Sequence, residues 1–131
     1  MPPQNHTDED PSHKSKINAT VFMNETFYTG YMPINIEEKE YLYFVMVESR
    51  NDPDTDPLII WLQGECSSQI GMFTENGPFN VGYNLTARPV FNMTRNNYSW
   101  NSNATVVYID YPLGTGFSFA PSFMNYRFLD S

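Results

Sequence analysis

The sequence predicts an α/β fold that is rich in strands and incomplete as a free-standing domain. Three observations lead there. Tyr41–Val47, Leu58–Leu62 and Thr105–Ile109 are short, continuous apolar runs, rich in β-branched and aromatic residues. Turn-forming residues bound them, and runs of this kind read as strands covered on both faces. Strands of that type need helices on either side of their sheet, yet no long amphipathic helix occurs in the 131 residues. The cover is therefore expected from sequence outside this chain.

Residues 1–19 are polar, with almost no apolar side chain before Ile17, and are expected to form a leader without fixed structure. Residues 20–131 are expected to form the folded part. Phe22, Phe27, Tyr28 and Tyr31 cluster around Gly30 before Pro33, which suggests a strand or hairpin. The strand over Tyr41–Val47 runs into Asn51-Asp52-Pro53-Asp54-Thr55-Asp56-Pro57, a dense turn signal. A second strand, Leu58–Leu62, ends at Gly64. Ser67 to Thr74 has room for about two helical turns, with Ile70, Met72 and Phe73 turned inward. Glu75-Asn76-Gly77-Pro78 stops that helix. The third strand, Thr105–Ile109, is closed by Asp110-Tyr111-Pro112, and Gly114-Thr115-Gly116 shapes the loop above it. A lone Gly-x-Gly is poor grounds for a phosphate site.

Composition narrows the function. At 40% apolar and 16% aromatic, the chain is not disordered as a whole. A net charge of −8 with only seven scattered Lys and Arg excludes nucleic acid or an anionic membrane surface as partner. No apolar run reaches membrane-spanning length, and residues 1–10 carry no signal-peptide pattern. Seven Asn-x-Ser/Thr sequons occur, at Asn5, Asn18, Asn24, Asn84, Asn92, Asn97 and Asn103. Random placement of 14 Asn and 20 Ser plus Thr would give about two. The excess points to a glycoprotein of the secretory pathway, lysosomal, vacuolar or extracellular. Cys66 is the single cysteine, and three readings are open: a free thiol, a partner outside this sequence, or a small buried hydrophobe. The two histidines, His6 and His13, sit in the polar leader, where nothing holds a general base beside a nucleophile.

Several blocks then occur in a fixed order. They are Tyr28-Thr29-Gly30-Tyr31, Glu48-Ser49-Arg50-Asn51-Asp52-Pro53, Pro57-Leu58-Ile59-Ile60-Trp61-Leu62 and Cys66-Ser67-Ser68. Glu75-Asn76-Gly77-Pro78-Phe79, Asn97-Tyr98-Ser99-Trp100-Asn101 and Val106–Ser118 follow. The series resembles the opening of the serine carboxypeptidase family, the vitellogenic carboxypeptidase-like members among its candidates. The resemblance implies an α/β-hydrolase fold and a Ser-His-Asp triad that removes C-terminal residues from peptides. It places all three triad residues after residue 131. The chain is thus expected to be the N-terminal part of such a domain and inactive alone, with no cofactor or metal. Peptide C-termini are the expected substrates of the whole enzyme.

The same resemblance assigns the loop after Trp61-Leu62. Family members carry Asn-Gly-Gly-Pro-Gly-Cys-Ser-Ser, in which the Asn binds the substrate carboxylate and the second Gly donates an N–H to the oxyanion. Here the loop reads Gln63-Gly64-Glu65-Cys66. Gln63 stands for the Asn, Gly64 for the first Gly, and Glu65 replaces the second Gly and the Pro-Gly, so the loop is two residues short. Glu65 is expected to repel both an oxyanion and an anionic substrate terminus. Glu75 matches a family Glu that recognises the substrate carboxylate together with a second Glu; read alone, it is a helix-end carboxylate. Cys66 matches a cysteine that forms a disulfide far downstream, so a disulfide-linked second chain is a candidate partner. Ser67 and Ser68 are expected to cap the short helix. A family-derived pseudoenzyme or binding glycoprotein is the alternative.

Overall fold

A computed structural model of the chain describes the backbone of residues 15–17 and 83 and all of residues 23–64, 67–82 and 91–121. Its elements are β1 (Ser15–Ile17), β2 (Phe27–Asn35), β3 (Glu40–Val47), β4 (Leu58–Leu62), α1 (Ser68–Thr74), β5 (Phe79–Tyr83), β6 (Phe91–Arg95) and β7 (Thr105–Ile109), with a 3-10 turn at Trp100–Ser102. The main sheet runs in the order β1-β2-β3-β7-β4, while β5 and β6 pair separately. β1, β2, β3 and β7 are mutually antiparallel; β4 lies parallel to β7, Leu58 opposite Thr105 and Leu62 opposite Ile109. Ser15–Ile17 thus lends the sheet an edge from within the stretch read as a leader.

The alternation along the strands builds the core. Phe27, Val45, Val47, Val106 and Tyr108 project to one face, where Met72 of α1 and Phe79 of β5 close over them. Phe79 stacks on Phe27 and on Phe73, ring centroids 5.7 and 6.4 Å apart. β7 behaves as its sequence predicts, with Thr105, Val106 and Tyr108 buried. β4 does not. Leu58, Ile60 and Leu62 are 56–62% exposed, whereas Ile59 and Trp61 turn towards the core. The reason is that β4 is the sheet edge among the described residues, and nothing described covers its second face. Ile70 also departs from expectation: Ser68, Gly71 and Met72 face inward, leaving Ile70 exposed. Even the covered face holds a cavity of about 130 Å³ bounded by Phe27, Tyr43, Val45, Met72, Phe73 and Phe79.

Polar groups fix the other end of the sheet. Glu25 is buried, and its carboxylate receives Arg50 Nη2 at 2.7 Å, Arg95 Nε at 3.2 Å and Asn101 Nδ2 at 2.9 Å. Arg50 also donates to the carbonyl of Asn96 at 2.7 Å, and Asn96 Nδ2 donates to that of Gly77 at 2.9 Å. A buried carboxylate is costly unless it is paired and fully hydrogen-bonded. Glu25 meets both conditions. The predicted turn after β3 is held by two carboxylates. Asp52 accepts from Asp54 N and Thr55 Oγ1; Asp56 accepts from Ser49 Oγ at 2.5 Å, Asp52 N and Asn51 Nδ2. The Ser49 hydroxyl is the largest cause holding the Asp56 carboxyl below its ordinary value.

Candidate functional site

β4 delivers Trp61 and Gln63 to a corner that α1 closes from one side. Trp61 Nε1 donates to Gln63 Oε1 at 2.9 Å, and Gln63 Nε2 donates to Glu75 Oε1 at 3.2 Å. With the amide oxygen occupied by the indole, the NH₂ group is directed at the carboxylate. Gly71 allows the approach. A Cβ there would come within 2.6 Å of Trp61 Nε1 and 2.8 Å of Gln63 Oε1, so α1 meets the pair with backbone alone. The Trp100 ring meets Trp61 edge-on, centroids 5.1 Å apart and planes at 89°.

The floor of the corner is Asp110, fully buried at the end of β7. Its Oδ1 accepts from Ser67 Oγ at 2.6 Å and Ser68 N at 2.9 Å; its Oδ2 accepts from Gln69 Nε2 at 2.9 Å and Phe117 N at 3.0 Å. Three of these donors open α1 and the fourth belongs to the loop after β7. Ser68 Oγ adds a second tie, donating to the Ile109 carbonyl and accepting from Gln63 N. The backbone leaving β4 is therefore pinned on both sides of the stretch that carries Glu65 and Cys66. Those two residues lie outside the described ones. The loop after β7 begins with a cis Tyr111–Pro112 bond and passes Gly114 and Gly116 at φ of 82° and 58°. Gly116 sits so close that a Cβ would be 2.2 Å from Asp110 Oδ2.

Gln63 and Glu75, placed twelve residues apart, are thus brought together. Gly64 has open space around it: a Cβ would meet nothing within 4 Å. Ser67 is the N-cap of α1, its Oγ accepting from Gln69 N at 3.2 Å, in line with the capping role expected of it. The sequons at Asn24, Asn92, Asn97 and Asn103 are exposed, while Asn18 and Asn84 lie outside the described residues, as do both histidines. Trp61, Gly71 and Asp110 were not singled out from the sequence. The only signal for Asp110 is an acid directly after a fully apolar strand, and for Trp61 a polar-tipped ring at the core end of one. No helix among the described residues is long and apolar enough to cross a membrane.

Known proteins are similar to this chain in sequence and in fold. The serine carboxypeptidase family matches residues 16–130. Carboxypeptidase Y of Saccharomyces cerevisiae is 46% identical over 101 residues, which make up 76% of this chain and 18% of that protein. Vitellogenic carboxypeptidase of Aedes aegypti is 35% identical over 116 residues, 87% of this chain and 23% of that one. Among solved structures, a prohormone-processing carboxypeptidase from Saccharomyces cerevisiae superposes with a TM-score of 0.56 at 31% identity, covering 72% of this chain and 21% of its own. The mixed, strand-rich sheet is accordingly part of an α/β-hydrolase-type fold. The chain spans less than a quarter of the length of these curated relatives. With the family match spanning residues 16–130 and these relatives at 35–46% identity, the chain belongs to the serine carboxypeptidase family.

Proposed function

We propose that this chain builds the substrate-carboxylate corner of a serine-type carboxypeptidase, an enzyme that trims peptides from their C-terminal ends, and that the chain alone does not cleave. The hydrogen bond from Gln63 Nε2 to Glu75 Oε1 carries the proposal. An amide N–H and a protonated carboxyl can each donate to a peptide's terminal carboxylate, whereas an ionised Glu75 would repel it. Cleavage further requires a nucleophile with a base beside it, and the described residues contain no histidine.

The test uses the 131-residue chain labelled with 15N. N-acetyl-phenylalanine is expected to shift the Trp61 indole and Gln63 amide resonances at acid pH, with weak, about millimolar affinity. N-acetyl-phenylalanine amide is expected to leave them in place. Equal responses to the two compounds would overturn the carboxylate assignment. An N-blocked dipeptide should show no release of its last residue from acid to neutral pH. Turnover abolished by a serine-directed phosphonate would refute the inactive reading.

The loop sequence Gln63-Gly64-Glu65-Cys66 favours a second reading, a pseudoenzyme or binding glycoprotein, because an acid stands in place of the second Gly of the loop it resembles. The discriminating observation is an elbow serine, an aspartate and a histidine in coding sequence after Ser131. We also assign N-glycans to the sequons, within the secretory pathway, and to Cys66 a disulfide with a cysteine outside this sequence. Exposure at Asn24, Asn92 and Asn97 supports the first, and the absence of any other cysteine in this sequence supports the second. Mobility on non-reducing gels, and after peptide-N-glycosidase treatment, checks both.

A further inference from the structure

We propose that Trp100 is a positioning residue for the Gln63–Glu75 corner, bracing both of its halves at once. The inference rests on the reading of that corner as a carboxylate site. Trp100 is half exposed. A tryptophan held there solely for core packing would be expected to sink its ring. Instead it spends the ring on one neighbour and the backbone on another.

The first brace acts on Gln63. The Trp61 indole sets the direction of the Gln63 amide, because its Nε1–H takes up Oε1. That indole can hold the amide only if its own ring cannot turn. Gly71 lies against it so closely that a Cβ there would be 2.6 Å from Nε1, and the Trp100 ring meets it edge-on, centroids 5.1 Å apart. Edge-to-face pairs of this geometry add about 0.5–1.5 kcal/mol beyond area burial. They also fix a relative angle, which packing of aliphatic groups does not.

The second brace acts on Glu75. Trp100 N donates to the carbonyl of Asn76 at 2.9 Å, and Ser99 Oγ reaches the same oxygen at 3.1 Å. Asn76 is itself anchored in the core: Tyr108 OH donates to its Oδ1 at 3.0 Å. Burial raises the Tyr108 pKa, so the hydroxyl stays a donor. Glu75 is the residue before Asn76 and the C-cap of α1, where the N–H groups of Glu75 and Asn76 both donate to the Gly71 carbonyl, at 3.0 and 3.1 Å. The segment from Ser99 to Trp100 adds a second hold, on the Asn76 carbonyl. A closed ring results, running from Trp61 through Gln63, Glu75, Asn76 and Trp100 back to Trp61. Removing the Trp100 ring opens it at Trp61 and loosens the Gln63 amide, while the residue 100 N–H keeps its bond to the Asn76 carbonyl.

The experiment follows the Trp61 indole N–H of the full 131-residue chain by 15N NMR. In the wild type, this proton should exchange slowly with water and its shift should move when Glu75→Gln is introduced. Trp100→Ala and Trp100→Leu should each raise its exchange about tenfold, the scale set by losing one net hydrogen bond, and make its shift insensitive to Glu75→Gln. Trp100→Phe, which keeps an aromatic edge, should restore both. Dispersed amides of Val106 and Val107 certify that the sheet persists; if Trp100→Ala loses them, the Leu and Phe variants carry the comparison. Wild-type exchange and a wild-type response to Glu75→Gln in Trp100→Leu would overturn the brace. Equal loss in the Leu and Phe variants would overturn it too, since a purely structural role does not distinguish an aromatic edge. Failure of N-acetyl-phenylalanine to bind the wild type, with the Trp100 effects intact, would remove the carboxylate reading and leave the brace standing.

Discussion

Gly116→Ala is the sharpest perturbation the structure offers. The added Cβ would lie 2.2 Å from Asp110 Oδ2, 2.6 Å from its Cγ and 3.0 Å from Ser67 Cβ. None of these is the tip of a long flexible chain, and Asp110 is pinned by four donors. Two costs arise. Holding an L-residue at φ of 58° costs about 1–2 kcal/mol. Displacing the carboxylate sacrifices the Gln69 and Phe117 bonds to Oδ2, each worth about 1.5 kcal/mol or more when the acceptor is charged. The expected destabilisation is about 4 kcal/mol, a large share of the ~5–15 kcal/mol that holds a domain together. Urea unfolding of the 131-residue chain, followed by circular dichroism, measures it. Gly64→Ala is the internal control, since its Cβ meets no atom within 4 Å and its φ is not positive. That variant should unfold within about 0.5 kcal/mol of wild type. If Gly116→Ala unfolds at the same urea concentration as Gly64→Ala, Asp110 is not the rigid floor described above.

Two further outcomes are expected. Arg50→Ala leaves the buried Glu25 with only the half-exposed Arg95 as counter-charge, and should cost about 3–5 kcal/mol in the same titration; a smaller loss than for Gly116→Ala's control would refute the pairing. The Asp56 carboxyl is held below its ordinary 3.8 chiefly by the Ser49 hydroxyl. A lowered folded value means its contribution is present above 3.8 and fades as pH falls through the lowered value, so Asp56→Asn should flatten the acid limb of a stability profile; an unchanged limb would count against it.

Much of the fold can be read from the linear chain, and what cannot has a physical cause. β3, β4, β7 and the stop after α1 are legible because apolar continuity and Gly/Pro punctuation are local properties. The exposure of Leu58, Ile60 and Leu62 is not, since an apolar run carries no record of whether a neighbour covers its second face. Ile70 fails for a related reason: over a helix of seven residues, the inward face is chosen by Gly71 beneath Trp61, not by periodicity. The β5–β6 pair escaped because Phe79–Tyr83 and Phe91–Arg95 mix polar and apolar residues without a turn signature between them that names a hairpin. At the site, Gln63 and Glu75 were recognisable by resemblance alone. Trp61, Gly71 and Asp110 act through distances that close only after folding.

The Glu25 cluster carries a consequence for synthesis. Its carboxylate is satisfied by Asn101, 76 residues further along, and by Arg50 and Arg95 in between. A nascent polypeptide emerging from the ribosome cannot complete that knot until the last of these has been translated. Until then the acid remains hydrated, and the segments it will tie together stay free to move relative to one another.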